Sequence, residues 1–179
     1  MTKAGNNNVY AYRFDWDEEP SQLGFDLSTA LGAAHGLEIA FVFNDFEGGF
    51  GIDYLYPHDE NQASLANSIT SYWSEFAYNG NPMQGRDGSE PMWVSWGMGG
   101  MQSLVLDTPT DQGIYMNKEI VSLESIKTEL AADASIEDEL ERCHLYARNF
   151  RGAGFIREEY DALGDGACAA LDPSTISAF

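Results

Sequence analysis

The chain has 179 residues and a formal net charge of −20, from 29 acidic and 9 basic side chains, which excludes a phosphate-backbone binder and docking on anionic lipid, since both need a positive footprint. A composition that is 44% hydrophobic and 13% aromatic supplies enough apolar material for a packed core and excludes wholesale disorder. No apolar run approaches a membrane span, Met1–Asn8 lacks the apolar region of a signal peptide, and the length fits one domain or a piece of a larger one.

Val9-Tyr10-Ala11-Tyr12-Arg13-Phe14 predicts a strand lying inside a sheet, closed by the acidic run Asp15–Glu19 and Pro20. Residues 20–34 read as loop, and Glu38–Phe43 as a brief helix or a strand. Asn44–Glu60, with Gly48, Gly49, Gly51 and Pro57, reads as a long surface loop. Over Asn61–Tyr78, Leu65, Ile69, Tyr72, Trp73 and Phe76 fall on one apolar stripe and predict a helix, ended by Asn79-Gly80-Asn81-Pro82. Ser103–Leu106 predicts a short strand. A second long helix is expected from Ser135, with Ser135 and Asp138 resembling a capping box and Ile136, Leu140, Cys143, Ala147 and Phe150 forming its stripe. A short helix over Ile156–Leu163 should stop at Gly164, and the tail beyond reads as loose. No internal repeat or domain linker is visible. So few strands cannot make a stable sheet alone, which leaves either a mostly helical domain or a terminal piece of a larger α/β protein.

Few residues suggest chemistry. Cys143 and Cys168 can pair, but two cysteines make no disulfide framework, and free thiols are the commoner outcome. No zinc-type Cys-x-x-Cys occurs. His58, in a polar loop, reads as solvated, and His144 as a half-buried helix residue. His35 differs, because small residues flank it and Glu38 lies three residues on, where a carboxylate can orient an imidazole. Spacing alone leaves both a structural and a catalytic histidine open. His35 and Glu38 as metal ligands lack partners, no cofactor is implied, and Gly164-Asp165-Gly166-Ala167-Cys168-Ala169 fits a dinucleotide fingerprint only by chance, since no strand precedes it. Asp17-Glu18-Glu19 and Glu158-Glu159 read as solvated faces, and Phe41, Phe43, Phe50 and Tyr54 as core residues rather than a site rim.

Gly32-Ala33-Ala34-His35-Gly36-Leu37-Glu38-Ile39-Ala40-Phe41-Val42-Phe43, behind the strand at Val9–Phe14, resembles the C-terminal part of the type-B carboxylesterases and cholinesterases, an α/β-hydrolase family. Ser71–Ala77 with Asn79-Gly80-Asn81-Pro82, the Trp93/Trp96 segment, Leu104-Val105-Leu106-Asp107 and Arg142–Tyr146 continue the likeness in order, over residues 9–150. Ala40 and Val94 stand where many members have proline, and residues 151–179 remain unassigned. The resemblance implies an α/β fold, with residues 1–179 as the C-terminal portion of a carboxylesterase domain. It also implies that His35 is the histidine of a triad running Ser, acid, His along the chain. Only Ser21 and Ser28 precede His35, neither in Gly-x-Ser-x-Gly; Trp93-Val94-Ser95-Trp96-Gly97 comes nearest to that motif but stands in the wrong order. The expected partners are therefore the N-terminal remainder of the hydrolase, bearing serine and acid, and a small-molecule ester. Nucleic acid and a membrane span are not expected, and self-association through Val9–Phe14 is a further possibility. The chain alone should be inactive. The alternative is a non-catalytic cholinesterase-like binding or adhesion module.

Overall fold

The computed structural model describes residues 8–47 and 51–176, so Met1–Asn7, Gly48, Gly49 and Phe50 and their readings lie outside it. The chain divides into two compact units, Met1–Glu119 and Ile120–Phe179, at a point where the sequence carries no linker signal.

In the first unit, β1 (Tyr12–Phe14) runs parallel to β2 (Ser103–Leu106), and β2 runs antiparallel to β3 (Tyr115–Asn117), in the order β1-β2-β3. The register sets Tyr12 against Leu104, and Leu104 against Met116. The sheet is mixed and α/β in class, as expected, but β1 is shorter than Val9–Phe14. Its one neighbour among the described residues is β2, and Tyr12 is 41% exposed. The buried, two-sided position belongs to β2, whose Leu104, Val105 and Leu106 are enclosed. Ahead of β1 the backbone is tied by Trp96 N–H to Val9 C=O (2.8 Å) and Trp93 Nε1–H to Ala11 C=O (3.1 Å).

Among the described residues three α-helices lie between β1 and β2. Asp26 caps α1 (Leu27–Leu31), inside the segment expected to be loop; its carboxylate accepts from Thr29 N–H and Thr29 Oγ1. The ambiguous Glu38–Phe43 is helix α2, closed by Asn44 in the left-handed region. The long helix α3 (Glu60–Asn79) agrees with the sequence within a residue at each end, between the Asp59 cap and Gly80 at φ +69°. Leu65, Ile69 and Tyr72 of its stripe are buried, whereas Phe76 is 47% exposed. Trp16, Phe41 and Tyr56 centre the core of this unit.

The second unit is helical. Ser122 and Ser125 form a reciprocal capping box for α4 (Leu123–Ala132), and α5 (Glu139–Asn149) and α6 (Arg157–Ala162) follow. The expected start at Ser135 is corrected: Ser135 Oγ donates to Asp133 (2.7 Å), and Asp138 caps α5 through Leu140 N–H. Arg142 Nη2 donates to the carbonyls of Asp133 and Ile136, 2.9 Å each, which holds the connection open rather than helical. Cys143 and Cys168 are joined in a disulfide with Cα atoms 5.5 Å apart, so the free-thiol reading is also corrected. The tail expected to be loose is short 3₁₀ turns over Gly164–Ala170 and Pro173–Thr175, with Cys168 buried. Among the described residues no helix is long and apolar enough to cross a membrane.

Candidate active-site histidine

His35 sits in the turn between α1 and α2, and local backbone chemistry builds that turn. Gly32 ends α1 at φ +55°, with its N–H on Ser28 C=O (2.8 Å). Ala34 C=O accepts from Leu37 N–H (3.3 Å), and Gly36 reverses the chain at φ +93°, a conformation that favours glycine. The Glu38 carboxylate accepts from Gly36 N–H at 2.9 Å. Glu38 therefore holds the backbone beside His35, where the sequence suggested a carboxylate for the imidazole itself. From outside the turn, Tyr56 Oη donates to Leu37 C=O (3.2 Å).

The His35 side chain is exposed, and among the described residues none hydrogen-bonds to its ring. Ser28 Oγ is engaged by Asp26 at 3.0 Å, and Ser95 is buried. His58 is exposed as expected, but its backbone N–H reaches Gln62 (2.7 Å) and its Nε2 lies 3.2 Å from Asp53 C=O; His144 is half-buried on α5. No group of three or more His, Cys, Asp or Glu side chains among the described residues is placed to hold a metal ion.

The carboxyl ends of β1 and β2 carry an acidic group that the sequence reading left in solvent. Asp15 N–H bonds Leu106 C=O, which joins the strand ends, and Thr108 Oγ1 donates to Glu18 at 2.5 Å. Glu19 is only 4% exposed, and neither of its carboxylate oxygens has a hydrogen-bond partner among the described residues. Its pKa is raised, first by burial and then by Asp17. Burial also pushes Asp107 up to about 6, against the bond from Thr108 N–H and with Asp111, Asp15 and Asp17 adding to the rise. Glu159, the other supposed solvated acid, accepts from Lys127 Nζ and Tyr146 Oη, both at 2.6 Å. Of the aromatic residues assigned to the core, Phe41 is buried, whereas Phe43 and Tyr54 are exposed.

A model of the Carboxylesterase family matches residues 1–122. The Arg142–Tyr146 block of the resemblance lies beyond that match. The chain is 38% identical over 74 residues to the cocaine esterase of Homo sapiens, covering 41% of this chain and 12% of that protein. It is 31% identical over 88 residues to the acetylcholinesterase of Electrophorus electricus, covering 49% and 13%. It is also 36% identical over 77 residues to the medium-chain fatty acyl-CoA hydrolase precursor of Anas platyrhynchos, covering 42% and 12%. The matched stretch is thus a small part of each relative's length. Among solved structures, a PNB esterase aligns with a TM-score of 0.42 at 24% identity, over 61% of this chain and 19% of that one. With its first unit matched along its whole length and the histidine turn inside that match, the chain belongs to the carboxylesterase family.

Proposed function

We propose that this chain supplies the histidine of a serine carboxylic-ester hydrolase working through an acyl-enzyme. His35 takes the proton of the serine nucleophile as the ester carbonyl is attacked, and returns it to the leaving alcohol. The serine and the acid come from the remainder of the hydrolase. The sequence holds no Gly-x-Ser-x-Gly, and the aligned stretches are 12–13% of the relatives' lengths. The observation that carries the reading is a solvent-facing imidazole on a glycine-bounded turn within the family-matched residues, with no ring partner among the described residues. One ring nitrogen is then open to a serine hydroxyl and the other to an orienting carboxylate. Substrates are small-molecule esters, the class that the names of the relatives point to.

The test is a nitrophenyl-ester assay of the 179-residue chain, alone and assembled with the serine-bearing segment. The chain alone should not turn over. In the assembled enzyme, His35→Ala should lower kcat by roughly 10²–10⁴-fold, the range of a positioned general base, and leave the melting curve unchanged. Serine-dependent turnover by the chain alone, or full activity in His35→Ala, would overturn the proposal. The second result would leave the non-catalytic binding module standing.

A further inference from the structure

We propose that Tyr56 is a positioning residue for His35, acting through the Leu37 carbonyl; the inference rests on the catalytic reading of His35. Three backbone groups that follow the histidine are held. Gly36 N–H goes to Glu38 (2.9 Å), Leu37 N–H to Ala34 C=O (3.3 Å), and Leu37 C=O receives the Tyr56 hydroxyl (3.2 Å). The first two contacts lie within the turn and move with it. The third comes from a residue 19 positions beyond Leu37 and ties the turn to the core.

Tyr56 suits that task because its ring cannot wander. It is 3% exposed, stacked on Trp16 (centroids 5.6 Å apart, planes 24°) and edge-on to Phe46 (5.0 Å) and Phe41 (6.0 Å). Four close-packed rings fix the hydroxyl more firmly than a long flexible side chain would. The phenol also remains a donor through the neutral range, since burial raises its pKa, followed by the charges of Glu19 and Glu38. The His35 ring has no hydrogen-bond partner among the described residues, so within this chain its orientation derives from the backbone. A general base is sensitive to small displacements, which makes the anchor of that backbone relevant to rate rather than to substrate affinity.

Tyr56→Phe removes the hydroxyl and keeps the rings. In the isotope-labelled 179-residue chain, amide exchange at Gly36 and Leu37 should quicken about tenfold, as loss of one buried hydrogen bond implies, with Ile69 of α3 unchanged. In the enzyme assembled with its serine-bearing segment, kcat should fall about tenfold, with KM within about twofold. Unchanged exchange at the turn, or a change in KM alone, overturns the inference. Should Tyr56→Phe lose cooperative melting, the wild-type chain decides: Gly36 and Leu37 amides exchanging as fast as in an unstructured peptide would contradict an anchored turn. The two proposals fail separately. An active His35→Ala sinks the catalytic reading, whereas an inactive His35→Ala beside a fully active Tyr56→Phe sinks only the positioning role.

Discussion

Asp107 shows how one buried carboxyl sets a pH dependence. Its side chain follows the last residue of β2 into a 6% exposed position, and its pKa rises from 3.8 to about 6 because the ionised form loses water. The folded state therefore binds this proton more tightly than the unfolded chain does. The resulting stability is complete below about pH 4 and is lost as pH rises through about 6. At neutral pH the ionised carboxylate therefore costs the folded state at most about 3 kcal/mol. Asp107→Asn keeps an oxygen for Thr108 N–H and removes the ionisation. Its melting temperature should exceed that of wild type at pH 7, with the difference closing near pH 4. A difference that does not vary with pH would contradict the assignment. Glu19 acts in the same direction. Neither behaviour is legible in an acidic run such as Asp17-Glu18-Glu19, because local sequence says nothing of which carboxylate turns inward.

The elements that the sequence specifies well are those whose signals are local. Helix α3 has a full apolar stripe between Asp59 and Gly80, and β2 is a short apolar block, so both stand where expected. Helix α1 and strand β3 are too short for periodicity to show, and α4 is capped by a Ser/Ser pair that lacks the usual Glu or Gln at the third position. Helix α5 starts late because Arg142, from its own first turn, captures the carbonyls ahead of it. The disulfide links α5 to the Gly164–Ala170 segment across a separation of 25 residues. Opening a loop of that size should cost about 3.5 kcal/mol. Under a reductant such as dithiothreitol, amide exchange should quicken across Cys143–Phe150 and Gly164–Ala170. Retained protection there would show that the buried Tyr146, Phe150 and Tyr160 cluster suffices without the bridge.

At the scale of the whole molecule, the described residues of the first unit show both an open sheet edge and uncovered apolar side chains. Strand β1 has β2 as its one described neighbour, and Tyr12, Phe25, Phe43, Phe76 and Tyr78 of the first unit are exposed. An open edge and large apolar patches tend to recruit a partner. In the proposed enzyme that partner is the serine-bearing remainder of the hydrolase. Purified alone, the chain should bind an apolar dye and elute on size exclusion with light scattering as more than a monomer. Adding the serine-bearing segment should suppress both. A dye-silent monomer would argue against a companion on this edge.

The sequence by itself determined the long helix α3 and strand β2, because apolar periodicity and caps are properties of short windows, and its glycine-bordered histidine motif carried the family resemblance that implied the α/β class. It also singled out His35. Tertiary structure decided what surrounds that residue. Glu38 turns to Gly36 N–H, and Tyr56, distant in sequence, reaches Leu37 because Trp16, Phe41 and Phe46 pack around its ring. It also buried Glu19 and Asp107 and brought Cys143 to Cys168. Each of these depends on residues that meet only after the chain has folded, and no local pattern encodes such a meeting.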